Sequence, residues 1–190
     1  MAGRWMLFVD GENLTIRAQK VMDGAGQEFT EGLFWLRDTF VWLAQPQTTN
    51  NYMDLRAFYG LLHERVSGPA IRRHYYTSVF GDQPKLDRVR ATLWDIGFKP
   101  SVFKKESKTR RSKGVDIALA TDMLGHAFRD NYDLALLVAG DGDYVPLVEE
   151  IQRLGKIVCV SFFQQGLSEQ LTLASDSPHR LAAGSCLVVE

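Results

Sequence analysis

At 190 residues, with 45% hydrophobic and 24% charged residues, the chain is long enough to bury a core and is most simply one domain, 1–190. A formal net charge of -1 excludes a global pull toward nucleic acid or membrane, so an anionic partner must be held by a local patch. Cys159 and Cys186 lack CxxC spacing and read as reduced core thiols, and neither a span of about 18 apolar residues nor a leader pattern is present. A cytoplasmic protein without membrane contact is expected.

Trp5 to Val9 is the first strand candidate, and it ends in Asp10-Gly11-Glu12-Asn13. Glu31 to Ala44 and Tyr52 to Val66 read as two helices, rich in aromatics such as Phe34, Trp35, Phe40, Trp42 and Phe58. They form an aromatic-rich helical insertion over residues 29–66, for which a lid, a homodimer surface and a protein-partner site are the open uses. Ile71 to Phe80 is the next strand. The helix Pro84 to Ile96 follows, with Leu86, Val89, Arg90, Leu93 and Trp94 near 3.6 spacing and Gly97 as its cap. Phe98 to Phe103 is a strand. Val115 to Phe128 is a helix whose apolar side is expected at Ile117, Ala120, Leu124, Ala127 and Phe128. The strand Leu134 to Ala139 precedes a helix from Val145 to Leu154, striped by Val145, Val148, Ile151 and Leu154 and stopped at Gly155. Lys156 to Phe162 is the fifth strand, and Ser175 to Gly184 is the least legible segment. Strands alternating with helices predict an α/β fold, a mainly parallel sheet of five strands covered by helices.

Acids stand at the ends of these strands. Asp10 follows the first, Asp141 and Asp143 follow Leu134 to Ala139 in the turn Gly140-Asp141-Gly142-Asp143-Tyr144, and Asp116 opens the helix after Lys113-Gly114-Val115. Ligands of open parallel sheets bind beyond the carboxyl ends of the strands, where strand order reverses. A helix cap explains one acid at a time; a cation site explains several together. Oxygen ligands without His or Cys in spacing suit hard ions such as Mg²⁺ or Mn²⁺, which serve phosphoryl chemistry. His63, His74, His126 and His179 are scattered and do not read as ligands. Asn13 reads either as a helix cap or as an amide that orients water or phosphate.

The stretch Lys104-Lys105-Glu106-Ser107-Lys108-Thr109-Arg110-Arg111-Ser112-Lys113 is strongly basic and lies immediately before Asp116. A basic loop beside an acidic metal site can track a phosphate backbone, which assigns nucleic-acid binding to Lys104, Lys105, Lys108, Arg110, Arg111 and Lys113. Arg72, Arg73, Arg88 and Arg90 are candidates to extend that surface. Tyr75, Tyr76 and Tyr144 read either as core aromatics or as base-stacking groups.

Phe8-Val9-Asp10-Gly11-Glu12-Asn13-Leu14, the run Lys113-Gly114-Val115-Asp116 through Met123, and Leu137 through Leu147 around Gly140-Asp141-Gly142-Asp143 resemble the NYN domain, of the LabA or DUF88 type. The resemblance spans nearly the whole chain. It implies a PIN-like, Rossmann-like three-layer α/β/α sandwich and a metal-dependent ribonuclease. It further implies that Asp10, Asp116, Asp141 and Asp143 bind the metal, with Asn13 accessory. Asp122 also falls in the pattern but, six residues from Asp116, points off that face, so a supporting role is expected. Glu12 stands where the family commonly has a small residue, and either adds a ligand or points away.

Three functions follow as expectations. The first is an endoribonuclease, in which water activated by Mg²⁺ or Mn²⁺ attacks a phosphodiester of single-stranded RNA. The second is an RNA-binding or regulatory module with little catalysis. The third is a phosphatase of the haloacid dehalogenase type, which would need an aspartate where Glu12 stands.

Overall fold

The computed structural model describes residues 3–24, 34–36, 39–41, 70–95, 97–107 and 113–181. Strand β1 (Trp5–Asp10) leads into helix α1 (Gly11–Gly24), followed by two short strands, β2 (Phe34–Leu36) and β3 (Thr39–Val41). Strand β4 (Arg72–Val79), helix α2 (Gln83–Asp95), strand β5 (Lys99–Lys104) and helix α3 (Lys113–Phe128) come next. The chain then forms β6 (Leu134–Val138), a 3-10 turn over Gly142–Tyr144, α4 (Val145–Arg153), β7 (Ile157–Phe163), a second 3-10 turn over Gln164–Gly166, α5 (Glu169–Ala174) and β8 (Ser177–Leu181).

Six strands form one sheet in the order β5-β4-β1-β6-β7-β8, with every pairing parallel. Parallel strands must be covered on both faces, which is why β1 and β6 are buried along their whole length. The side-chain period of two sorts β1 between the layers. Trp5, Leu7 and Val9 join Leu14 of α1 and Leu86, Val89 and Leu93 of α2 on one face. Met6 and Phe8 join Val115, Leu119 and Met123 of α3 and Val148 and Ile151 of α4 on the other. The α/β fold and three-layer arrangement are therefore those expected.

Three details differ, and one expectation is not reached by the described residues. The sheet has a sixth strand, β8, which pairs Ser177 with Cys159 and Pro178 with Val160 in the least legible segment. Proline is tolerated there because β8 is an edge strand. The helix expected over Glu31 to Ala44 is instead the antiparallel pair β2–β3, in which Phe34 faces Val41 and Leu36 faces Thr39. Aromatic and β-branched residues dominate both segments and favour extended backbone. The second expected helix, Tyr52 to Val66, lies outside the described residues. Finally, α3 buries Val115, Leu119, Met123 and Ala127, while Ile117 and Phe128 are exposed. The buried stripe lies one position from Asp116, which turns that acid toward the rim.

Candidate metal and phosphodiester site

From β1 the chain crosses toward β4 and β5, whereas from β6 it crosses toward β7 and β8, so strand order reverses at the β1–β6 junction. Asp10 is the last residue of β1 and lies on the α3 side by the alternation that places Met6 and Phe8 there. Its Oδ1 accepts a hydrogen bond from the Asn13 backbone N–H at 2.9 Å, so Asp10 caps α1. Its Oδ2 accepts from the Tyr144 hydroxyl at 3.0 Å. The same hydroxyl lies 3.2 Å from Asp116 Oδ1. A phenol has one hydrogen to donate, so the two carboxylates share it.

Asp10 is only 3% exposed. Burial is the main cause that pushes its carboxyl up to about 7; the Asn13 N–H and the Tyr144 hydroxyl pull it back, while the charges of Asp116 and Glu12 push it further. Among the described residues no basic side chain is ion-paired with Asp10. Tyr144, buried beside these charges, has its phenol held far above the ordinary range, with desolvation the largest cause, and it stays a neutral donor.

The Gly140 to Tyr144 turn is built by close approach. A Cβ at Gly140 would lie 2.2 Å from the Gly166 carbonyl and 2.3 Å from the Phe162 ring, so no side chain fits. The Gly140 carbonyl accepts from the Ser168 N–H at 2.9 Å, and the Gly140 N–H lies 3.4 Å from Asn13 Oδ1. Asn13 therefore neither caps α1 nor stands apart from the backbone; its amide joins α1 to the end of β6. Asp141 caps the 3-10 turn, accepting from the Asp143 N–H at 3.2 Å, and Asp143 is exposed.

Of the four expected metal acids, Asp10 and Asp116 are brought together through one hydroxyl. Among the described residues no group of three or more acids, histidines or cysteines could hold a metal ion. The donor set still fits a hard divalent ion, because Mg²⁺ takes one or two carboxylates and keeps several waters. A buried acid with no ion-paired cation among the described residues is the side of that fit the fold itself supplies.

Glu12 has a different partner. Its side chain is 7% exposed, its Oε1 lies 2.6 Å from Lys105 Nζ, and its Oε2 accepts from Ser78 Oγ at 2.7 Å. The Lys105 side chain is 9% exposed, so this member of the basic stretch is spent on an internal ion pair. Lys104 is exposed at the end of β5; Lys108, Arg110 and Arg111 lie outside the described residues, as does the Lys113 side chain. Asp122 accepts from the Tyr76 hydroxyl at 2.9 Å, away from the Asp10–Asp116 pair. Tyr75, Tyr76 and Tyr144 are all buried, so none offers an open face for base stacking.

Tyr144 as the link between two acids is the functional residue the sequence reading missed. Its signal was the need of a buried phenol for a polar partner, in a turn already rich in acids.

A solved structure of a protein of unknown function from Vibrio parahaemolyticus is similar in fold, with a TM-score of 0.58 and 21% identity over 95% of this chain and 94% of its own. No protein of curated function matches. No helix among the described residues is long and apolar enough to cross a membrane. The family model of the NYN domain matches residues 4–182, nearly the whole length, and the chain therefore belongs to the NYN domain family, a group of PIN-like proteins regarded in general as nucleases.

Proposed function

We propose that this protein is a divalent-metal-dependent endoribonuclease, acting on single-stranded RNA in the cytoplasm. The observation that carries the reading is Asp10, a buried carboxylate with no ion-paired cation among the described residues, which shares the Tyr144 hydroxyl with Asp116 at the reversal of strand order. Mg²⁺ or Mn²⁺ held by Asp10 and Asp116 would supply the positive charge that binds a phosphate oxygen and activates water.

The chain's own residues do the rest. Tyr144 holds both carboxylates in register, and Asn13 fixes the turn that carries Asp141 and Asp143. Lys104, with Lys108, Arg110, Arg111 and Lys113 but without the internally paired Lys105, would hold the phosphate backbone. Because no group of three acids converges among the described residues, an RNA-binding module that cleaves little is the second reading.

Labelled single-stranded RNA incubated with the full chain and Mn²⁺ should be cut, and EDTA should stop it. Asp10→Asn or Asp116→Asn should lower the rate at least about a thousandfold with the circular dichroism spectrum unchanged. Cutting that survives both substitutions would remove the site assignment; retention of RNA without any cutting would favour the binding module.

A further inference from the structure

At the opposite end of the sheet, β4 begins with Arg72 and Arg73, and β5 begins with Lys99, which pairs with His74 of β4. Together with Trp94, Gly97 and Phe98 these residues line an open cavity of about 380 Å³. Trp94, in the last turn of α2, is 66% exposed, although the neighbouring Leu93 is fully buried. Phe98 forms a fixed floor, edge-on to Tyr75 with ring centroids 5.4 Å apart. Among the described residues no acid is ion-paired with Arg72, Arg73 or Lys99. The charges of Lys99 and Arg72 also help to keep the buried His74 neutral, after desolvation and the neighbouring His126 as the larger causes.

We propose that this groove is a second RNA-binding site, in which a base of a single strand stacks on Trp94 while Arg72, Arg73 and Lys99 hold the flanking phosphates. The inference rests on the reading of RNA as substrate. Three cations around an exposed indole match the two parts of a nucleotide strand, an anionic backbone and a π-face, and base–aromatic stacking tolerates any sequence. An acidic peptide would use the cations but would leave the indole face unpartnered. β4 has eight residues, so at about 3.3 Å per residue the groove lies roughly 25 Å from the acidic rim. A strand engaged at both places must therefore be long, and the groove would select long RNA over short fragments.

The test is fluorescence anisotropy of a labelled 20-nucleotide RNA with the full chain in EDTA, across a salt series. Trp94→Leu should weaken binding about tenfold and Trp94→Phe should restore most of it. The combined Arg72→Gln, Arg73→Gln and Lys99→Gln variant should reduce the slope of log affinity against log salt by about 2. Wild-type binding with neither change affecting it would overturn the groove and leave the reading of RNA as substrate standing. Failure of the wild-type chain to bind RNA would overturn both. Displacement of the RNA by polyglutamate that persists in Trp94→Leu with unchanged RNA affinity would assign the cations to an acidic peptide and also overturn the proposal.

Discussion

Asp10 and Glu12 are buried carboxylates two positions apart on one rim, and the protein treats them in opposite ways. Glu12 turns toward β4 and β5, where Lys105 Nζ neutralises it and Ser78 binds its second oxygen. Asp10 turns toward α3 and α4, where it meets another acid and a neutral phenol. The acids at the other end of β1 resemble Glu12 in this respect. Arg4 is ion-paired with both Asp130 and Asp133, and Lys156 with Asp130, which holds those carboxyls below their ordinary range. Glu12, Asp130 and Asp133 are thus compensated, whereas Asp10 has no ion-paired cation among the described residues. A buried acid with no ion-paired cation among the described residues is costly, and the proposed metal would supply the missing charge.

The largest effect on stability should come from breaking the compensated side. Lys105→Met leaves Glu12 buried and unpaired, and urea unfolding should show a loss of about 3–5 kcal/mol. Glu12→Gln combined with Lys105→Met should recover most of it. A loss under about 1 kcal/mol in the single variant would mean that the pair behaves as a solvated one, and the contrast with Asp10 would disappear.

The uncompensated side should respond with the opposite sign. The folded-state value of Asp10 is raised from the ordinary 3.8 to about 7. Between these values the folded protein holds a proton that the unfolded chain has released. This contribution to stability is fully present below about pH 4 and is lost as pH rises through 7. Asp10→Asn removes the penalty, so at pH 8 in EDTA the variant should be more stable than wild type, by up to about 4 kcal/mol from the size of the shift. Thermal melts from pH 5 to 8 would check this, and wild type should gain stability from Mn²⁺ at pH 8 where the variant gains little. A wild-type melting temperature that is flat over this range and indifferent to Mn²⁺ would contradict the account.

Most of the sheet was legible because buried parallel strands are continuous apolar runs, as in Leu134 to Val138. β8 was not, since an edge strand has one neighbour and can be written Ser-Pro-His-Arg-Leu. The buried face of α3 was misassigned because several of its stripes are apolar; only the packing of Val115, Leu119 and Met123 decides between them. In the site, Asp10 and Asp116 were readable from their places after β1 and at the start of α3. The pairing of Glu12 with Lys105 was not readable, because it joins residues distant in the chain across the ends of β4 and β5. A basic stretch looks alike in sequence whether its lysines face solvent or an internal acid.

Two tyrosines allow the finest comparison. Tyr144 donates to Asp10 and Asp116 at the rim, and Tyr76 donates to Asp122 through the same chemistry on the same face of the sheet. Tyr144→Phe keeps the ring but removes the hydroxyl that fixes both acids and draws the Asp10 carboxyl downward. Mn²⁺ affinity should fall about 10–100-fold, the usual scale when the support of a ligand is lost. Tyr76→Phe should cost about 1 kcal/mol of stability, since Asp122 is only partly buried and can turn to water. Mn²⁺ affinity should not change. Isothermal titration of both variants separates the two roles: an equal loss in Tyr76→Phe would extend the metal site to Asp122, and no loss in Tyr144→Phe would leave its hydroxyl with a packing role alone.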